Sequence, residues 1–161
     1  MCKLDSKKGT TILLKVKFGH IDDMVVGAQT NSVTAKGSIF TSRQAAYEAA
    51  NVAESKKSLS TLVLDVRKVT VLADFFVICG ASSQSQAKAI VNSIEKMLES
   101  LGFKPLNVEG KTEGRWILMD FGSVMIHVLQ EQERTFYNLE KFWNHALIVD
   151  KTSWSNTKTN C

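Results

Sequence analysis

Asp120, Ser123 and His127 are the residue types of a hydrolytic triad, and they fall within one short stretch of the chain. Such chemistry requires the hydroxyl and the imidazole to approach within hydrogen-bond reach. The stretch argues against that. Gly122-Ser123 reads as a hairpin turn opening on glycine, and His127 lies along the return strand, so the side chains do not converge. His127 is then a strand histidine bonded to a neighbouring carboxylate or backbone group. A second candidate is Gly80-Ala81-Ser82-Ser83, a loop between an apolar strand and a helix, where free N–H groups and the helix dipole favour an anion. It lacks the lysine of a P-loop and the glycine spacing of a dinucleotide fingerprint. Helix capping by Ser83 is therefore its plainer role, with a nucleotide-binding or nucleotidyl-transferring site as the alternative. Two-metal catalysis needs paired carboxylates, yet Asp65 is flanked at i±2 by Val63 and Arg67, and Asp120 by Leu118 and Gly122. His20 and His145 have no partners at metal-ligand spacing, and neither HExxH nor CxxC occurs. No catalytic residue, cofactor or metal is expected, and the chain is not expected to be an enzyme.

The elements that must position these residues can be read from their periods. Thr41-Ser42-Arg43-Gln44 is a capping box, and Ala46, Ala49, Ala50 and Val52/Ala53 continue at helical spacing, so a helix is expected from about Ser42 to Lys57. Leu62, Leu64 and Val66 alternate with Val63, Asp65 and Arg67, the period of a half-buried strand. Phe75 to Gly80 is apolar throughout, as in a central strand covered on both faces. Ser83, with Gln86 at N3, opens a long helix whose stripe is Ala87, Ile90, Val91, Ile94, Met97, Leu98 and Leu101, and Gly102 ends it. Phe103 to Glu109 contains Pro105 and so belongs at a sheet edge.

Trp116 to Phe121 and Val124 to Leu129 form the hairpin. If Phe121 opposes Val124, then Met119 opposes Ile126 and Ile117 opposes Val128, an apolar core face. The other face carries Trp116, Leu118, Asp120, Met125, His127 and Leu129. That mixed face is where a function can sit. Glu109-Gly110 begins a turn that ends at Gly114-Arg115, next to Trp116, whose edge position favours an exposed binding anchor over a core role. Glu131 to Ala146 reads as one closing helix with Phe136, Leu139, Trp143 and Ala146 inward and Tyr137, Glu140 and Lys141 beside that stripe. The fold class is α/β: a single domain with a mixed sheet and packed helices.

Length and composition suit one globular domain with a real core, at 161 residues and 44% hydrophobic residues. The pI near 9.0 suggests a nucleic-acid partner until the charge is divided along the chain. Residues 1–43 carry +4 and residues 151–161 carry +2, while residues 44–150 carry −2. A mildly acidic middle suits a basic protein partner better than a phosphate backbone. Cys2, Cys79 and Cys161 are too scattered for a disulfide framework. No signal-peptide core or membrane-length apolar run occurs, and the expectation is a reduced, cytoplasmic setting. The division into segments is then a loosely ordered extension over 1–43, a domain over 44–146 and a flexible basic tail over 147–161.

The residues also resemble the ribosomal silencing factors, or Iojap proteins. The resemblance rests on Ala73-Asp74-Phe75-Phe76-Val77-Ile78 followed by Gly80, Ser82 and Gln86, then Ala89-Ile90 and Val108-Glu109-Gly110. It continues through Trp116, Asp120-Phe121-Gly122-Ser123-Val124 and Ile126-His127 to Phe136-Tyr137, Leu139-Glu140 and Trp143. It implies a nucleotidyltransferase-like fold and a homodimer in the free state. It implies binding to large-subunit ribosomal protein fourteen on the large ribosomal subunit, so that the small subunit is kept from joining and translation falls when nutrients are scarce. The partner contact it implies runs through Trp116 and Tyr137, and Glu109 in the turn, Asp120 and His127 on the mixed face and Glu140 beside the helix stripe are the further candidates for it. Residues 1–43 and the chain after Ala146 have no counterpart in that core.

Overall fold

The computed structural model describes residues 32–33 and 39–155. The apolar runs near residues 12–18 and 24–26, His20, Cys2 and Cys161 lie outside the described residues. Two short strands, β1 (Ser32–Val33) and β2 (Ile39–Phe40), pair antiparallel just before the first helix. Helix α1 (Ser42–Ser55) starts on the expected capping box: Thr41 Oγ1 accepts from the Gln44 amide and the Thr41 amide donates to Gln44 Oε1. Its buried side chains are all alanines, Ala45, Ala46, Ala49, Ala50 and Ala53. Small side chains let the helix axis lie close to the sheet beneath.

The main sheet is built from β3 (Leu59–Asp65), β4 (Phe75–Ala81), β5 (Asn107–Glu109), β6 (Trp116–Asp120), β7 (Val124–Gln130) and β8 (Leu147–Ile148). Their spatial order is β5-β6-β7-β4-β3-β8. All neighbours are antiparallel except β4 and β7, whose parallel pairing is reached through helix α2 (Gln84–Ser100) and the β5–β6 segment. β4 is buried along its whole length, as its unbroken apolar run predicts. β5 occupies an edge but is shorter than the expected Phe103–Glu109 strand: Pro105 lies before it, outside the ladder. The hairpin register is the expected one, with Ile117 opposite Val128 and Met119 opposite Ile126. Gly122 holds a positive φ of 78° in its turn, a conformation that glycine adopts without Cβ strain.

Helices α1, α2 and the C-terminal α5 (Lys151–Ser155) cover the first face of the sheet. There Val63, Phe75, Val77, Ile117, Met119, Ile126 and Val128 meet Ile90, Ile94, Leu98 and the alanines of α1.

The second face departs from expectation. It is not an open mixed surface but a second core, in which Leu64, Phe76, Ile78, Trp116, Leu118, Met125 and Leu129 are buried with Leu139 and Ala146. β3 therefore has buried residues on both sides, Val63 on one and Leu64 on the other, where simple alternation implies one wet face.

The cover for this second core is not the single helix anticipated. Glu131 to Ala146 is split into α3 (Glu131–Tyr137) and α4 (Leu139–Phe142) at Asn138, which sits in the left-handed region with φ 43°. Asparagine tolerates that conformation better than most residues, and one such residue ends the i→i−4 ladder and resets the helical phase. Leu139 and Ala146 still point inward, but Phe136, expected in the core, is 81% exposed.

The chain after Ala146 is also not a flexible tail as far as residue 155. Leu147 and Ile148 pair with Asp65 and Leu64 at the sheet edge, and Trp154 is buried in the first core. Lys151 bonds Glu54 of α1 at 2.8 Å and lies over the Trp154 ring. The physical reason is the tryptophan: burying a side chain of that size outweighs the polar character of its neighbours. The domain therefore extends beyond the expected boundary at 146.

Candidate partner-binding face

The second core contains a run of aromatic side chains in mutual contact. Phe136 meets Tyr137 edge-on with ring centroids 5.0 Å apart, and Tyr137 lies 4.8 Å from Trp116. Trp116 lies 5.9 Å from His127, which meets Phe76 at 5.6 Å. Phe76 meets Trp143 at 5.1 Å, and Trp143 meets Phe142 at 5.1 Å. The run begins at exposed Phe136, passes beneath α3 and α4 against the sheet, and comes out again at exposed Phe142. Edge-to-face and offset contacts of this kind favour fixed ring orientations.

Strand pairing places these rings. Trp116 pairs with Leu129, and Leu129 with Gly80 across the parallel ladder; Leu118 pairs with His127, and His127 with Ile78. Gly110, at φ 75°, lets the preceding loop pass so close that a Cβ there would lie 2.0 Å from the Trp116 carbonyl oxygen. The corner before Trp116 is closed by Gln130, whose side-chain amide donates to the Gly114 carbonyl at 2.9 Å.

His127 is fully buried, and among the described residues the only hydrogen bond of its ring is received at Nδ1 from the Trp116 indole N–H, at 3.3 Å. A neutral imidazole that accepts at Nδ1 carries its proton at Nε2. Nε2 is buried without a hydrogen-bond partner, as is the Trp143 indole nitrogen. Burial lowers the His127 pKa to about 3, so the ring is neutral across the physiological range. The expected partner of His127, a carboxylate or backbone group, is replaced by Trp116.

Trp116 itself, anticipated as an exposed anchor, is only 5% exposed. Its edge position holds, but Tyr137 closes over it. Tyr137 is half-buried and lies at the surface end of the run. The carboxylates expected around this pair are dispersed. Asp120 is at the far end of β6, where Oδ1 accepts from the Gly122 amide at 2.7 Å. Glu109 is on edge strand β5 and accepts from Asn107 Nδ2 at 2.7 Å. Glu140 takes both Nε and Nη2 of Arg134, at 2.6 and 2.5 Å.

The two catalytic candidates take a structural form. Ser123 is in the turn and its Oγ makes no hydrogen bond, while His127 is engaged by Trp116. In the Gly80–Ser83 loop, the Ser82 amide and hydroxyl both donate to Gln86 Oε1 at 2.8 Å, and Ser83 Oγ accepts from the Gln86 amide. Gln86 Nε2 donates to the Lys56 and Lys57 carbonyls, so these groups are used in capping and in joining α2 to the end of α1. Among the described residues, no group of three or more His, Cys, Asp or Glu stands close enough to hold a metal, and no helix is long and apolar enough to cross a membrane.

Comparison with known proteins is decisive at this point. Residues 40–160 match the family described as ribosomal silencing factor during starvation. The chain belongs to the ribosomal silencing factor family. Its relatives include the ribosomal silencing factor of Bacillus subtilis, 37% identical over 102 residues that span 63% of this chain and 86% of that protein. A mouse protein named for mitochondrial assembly of the ribosomal large subunit is 36% identical over 81 residues, 48% of this chain and 36% of that one. Among solved structures, a Chromobacterium violaceum protein superposes with a TM-score of 0.64 at 28% identity, over 65% of this chain and 88% of its own. The family names a regulator of the ribosome rather than a class of enzyme. The match runs past Ala146, in keeping with the buried Trp154.

Four residues of this face escape the sequence reading. Phe136 is hidden by the assumption of an unbroken helix, and Asn138 is the signal that breaks it. Phe76 is visible only as a generic core residue, and Phe142 not at all. Arg134 gives no signal by period or motif, because its partners Leu59 and Glu140 come from other elements.

Proposed function

We propose that this member of the family docks on the large ribosomal subunit at large-subunit ribosomal protein fourteen, through the surface where Phe136 and Tyr137 emerge. Occupying that place keeps the small subunit from joining and lowers translation when nutrients are scarce. The observation that carries this reading is the aromatic run ending at an 81%-exposed phenylalanine, on a chain that belongs to the silencing-factor family. A large apolar ring left in water beside a half-buried tyrosine is the composition of an interface hot spot. In this reading Tyr137 contacts the partner, Trp116 and His127 back it from below, and the net charge of −2 over residues 44–150 suits a basic ribosomal protein. The free protein is a homodimer in the cytoplasm, on a nucleotidyltransferase-like scaffold without a nucleotide. The mouse relative, named for the ribosomal large subunit, points to the same subunit.

The test is sedimentation of purified large subunits with the full chain, followed by addition of small subunits. The expected result is cosedimentation with the large subunit and a reduced yield of joined ribosomes. Failure to cosediment, or joining at the control level with the chain bound, would overturn the reading. Nothing in the Gly80–Ser83 loop favours a nucleotide, since its capping bonds are internal.

A further inference from the structure

Helix α3 carries Phe136 and Tyr137, yet it has no fully buried residue of its own. At seven residues it is also far below the roughly 12 at which an isolated helix becomes even marginally stable in water. Its apolar burial is limited to half-buried Tyr137 on Trp116, so polar contacts must help to hold it in place. Arg115 and Glu133 approach only to 3.7 Å, with the arginine side chain about half exposed, which is a weak, screened pair.

Arg134 is differently placed. Its side chain is only 14% exposed and turns from α3 toward the sheet at the one row where a side chain is missing, Trp116–Leu129–Gly80–Leu59. A Cβ on Gly80 would lie 3.2 Å from Nη1 of Arg134 and 3.0 Å from the Leu59 carbonyl oxygen. Nη1 donates to that carbonyl at 2.9 Å, beside the register shift in β3. The other edge of the guanidinium holds Glu140, six residues on and beyond the left-handed break at Asn138. One planar fork thus ties α3, α4 and β3 together, a geometry that a lysine ammonium cannot reproduce at both ends.

Resting on the docking role proposed above, we infer that Arg134 is the positioning residue of the contact face: it touches no partner but sets α3 so that Tyr137 stacks on Trp116 and Phe136 projects outward. Glu140, grouped with the partner-contacting residues in the sequence reading, serves this clamp. Gly80 is the glycine that leaves room for it.

The test uses the full chain and the variants Arg134→Gln, Arg134→Lys, Glu140→Gln and Tyr137→Ala. The near-ultraviolet circular dichroism difference between wild type and Tyr137→Ala reports the stacked Trp116–Tyr137 pair. Arg134→Gln should reproduce most of that difference while the far-ultraviolet spectrum holds, and should weaken binding to purified large subunits about tenfold. Arg134→Lys and the milder Glu140→Gln should fall between it and wild type. Because Arg134 acts through Tyr137, adding Arg134→Gln to Tyr137→Ala should cost little more than Tyr137→Ala alone. An unchanged near-ultraviolet spectrum in both Arg134→Gln and Glu140→Gln overturns the inference. So do binding losses that multiply in the double variant, or wild-type binding by Arg134→Gln when Tyr137→Ala is weakened. Full binding by Tyr137→Ala would instead sink the docking reading, while the spectral arm still decides whether Arg134 sets the ring.

Discussion

Acidification should destabilise this domain through one residue, His127. The ring is fully buried and burial lowers its pKa from 6.5 to about 3. The folded state therefore binds the imidazole proton less readily than the unfolded chain. Stability is fully present above pH ~6.5 and is lost progressively as pH falls from there toward ~3. At pH 5 the unfolded imidazole is almost entirely protonated while the folded one is not, and linkage puts the loss at about 2 kcal/mol. Against a typical domain stability of ~5–15 kcal/mol that is a large fraction. Protonation in place offers no escape, since Nδ1 already receives the Trp116 indole proton and would have to become a donor itself. The assay is urea unfolding at pH 7.5, 6.5, 5.5 and 5.0, for wild type and for His127→Gln, whose side chain does not titrate. The wild-type stability should fall relative to the variant by about 2 kcal/mol between the first and last points. A difference that stays constant over this range would refute the claim that His127 is held neutral by burial.

Further outcomes follow from the same packing. Tyr137→Ala should weaken large-subunit binding by roughly thirtyfold, about 2 kcal/mol, with a small change in thermal midpoint. Trp116→Ala, by contrast, removes a buried ring and should cost ~3–5 kcal/mol of stability, so sedimentation and thermal melting side by side separate the two. Ending the chain at Ala146 should destabilise the domain because it removes Trp154 and the β8 pairing, and Trp154→Ala alone should lose ~3–5 kcal/mol in denaturant titration. Gly110→Ala should lower the thermal midpoint markedly, since its Cβ would meet the Trp116 carbonyl at 2.0 Å. A midpoint within a degree or two of wild type would show that the 110–114 loop can shift freely.

The parts of the fold legible in the sequence are those in which one local rule decides. The capping box at Thr41, the apolar run of β4 and the hairpin register each follow from spacing within a single element and are found as expected, and so is the stripe of α2 except for Met97, which is exposed. What escaped depends on pairs of elements. Trp116 and His127 share a polar-looking strand face, and whether that face is wet depends on a helix pair that has to be broken at Asn138 to lie across it. Trp154 sits in a polar, basic segment, and its burial shows only when α1 offers a row of alanines to receive it.

The same contrast explains why Trp116 and Tyr137 are found side by side while Trp116 is not exposed. Alternation along β6 places Trp116 on the second face of the sheet, with Leu118, and that placement is purely local. Its exposure is decided by Tyr137, whose own position is decided by Arg134 reaching Leu59, some 75 residues away in sequence. A single largely covered guanidinium can do this because, left without Glu140 and Leu59, it would be a partly desolvated charge without partners. In the clamp inferred above, α3 is fixed by the need to satisfy one charge together with the packing of Tyr137 on Trp116. A face held in this way can leave Phe136 in water without unfolding, which is the condition that a surface reserved for a partner has to meet.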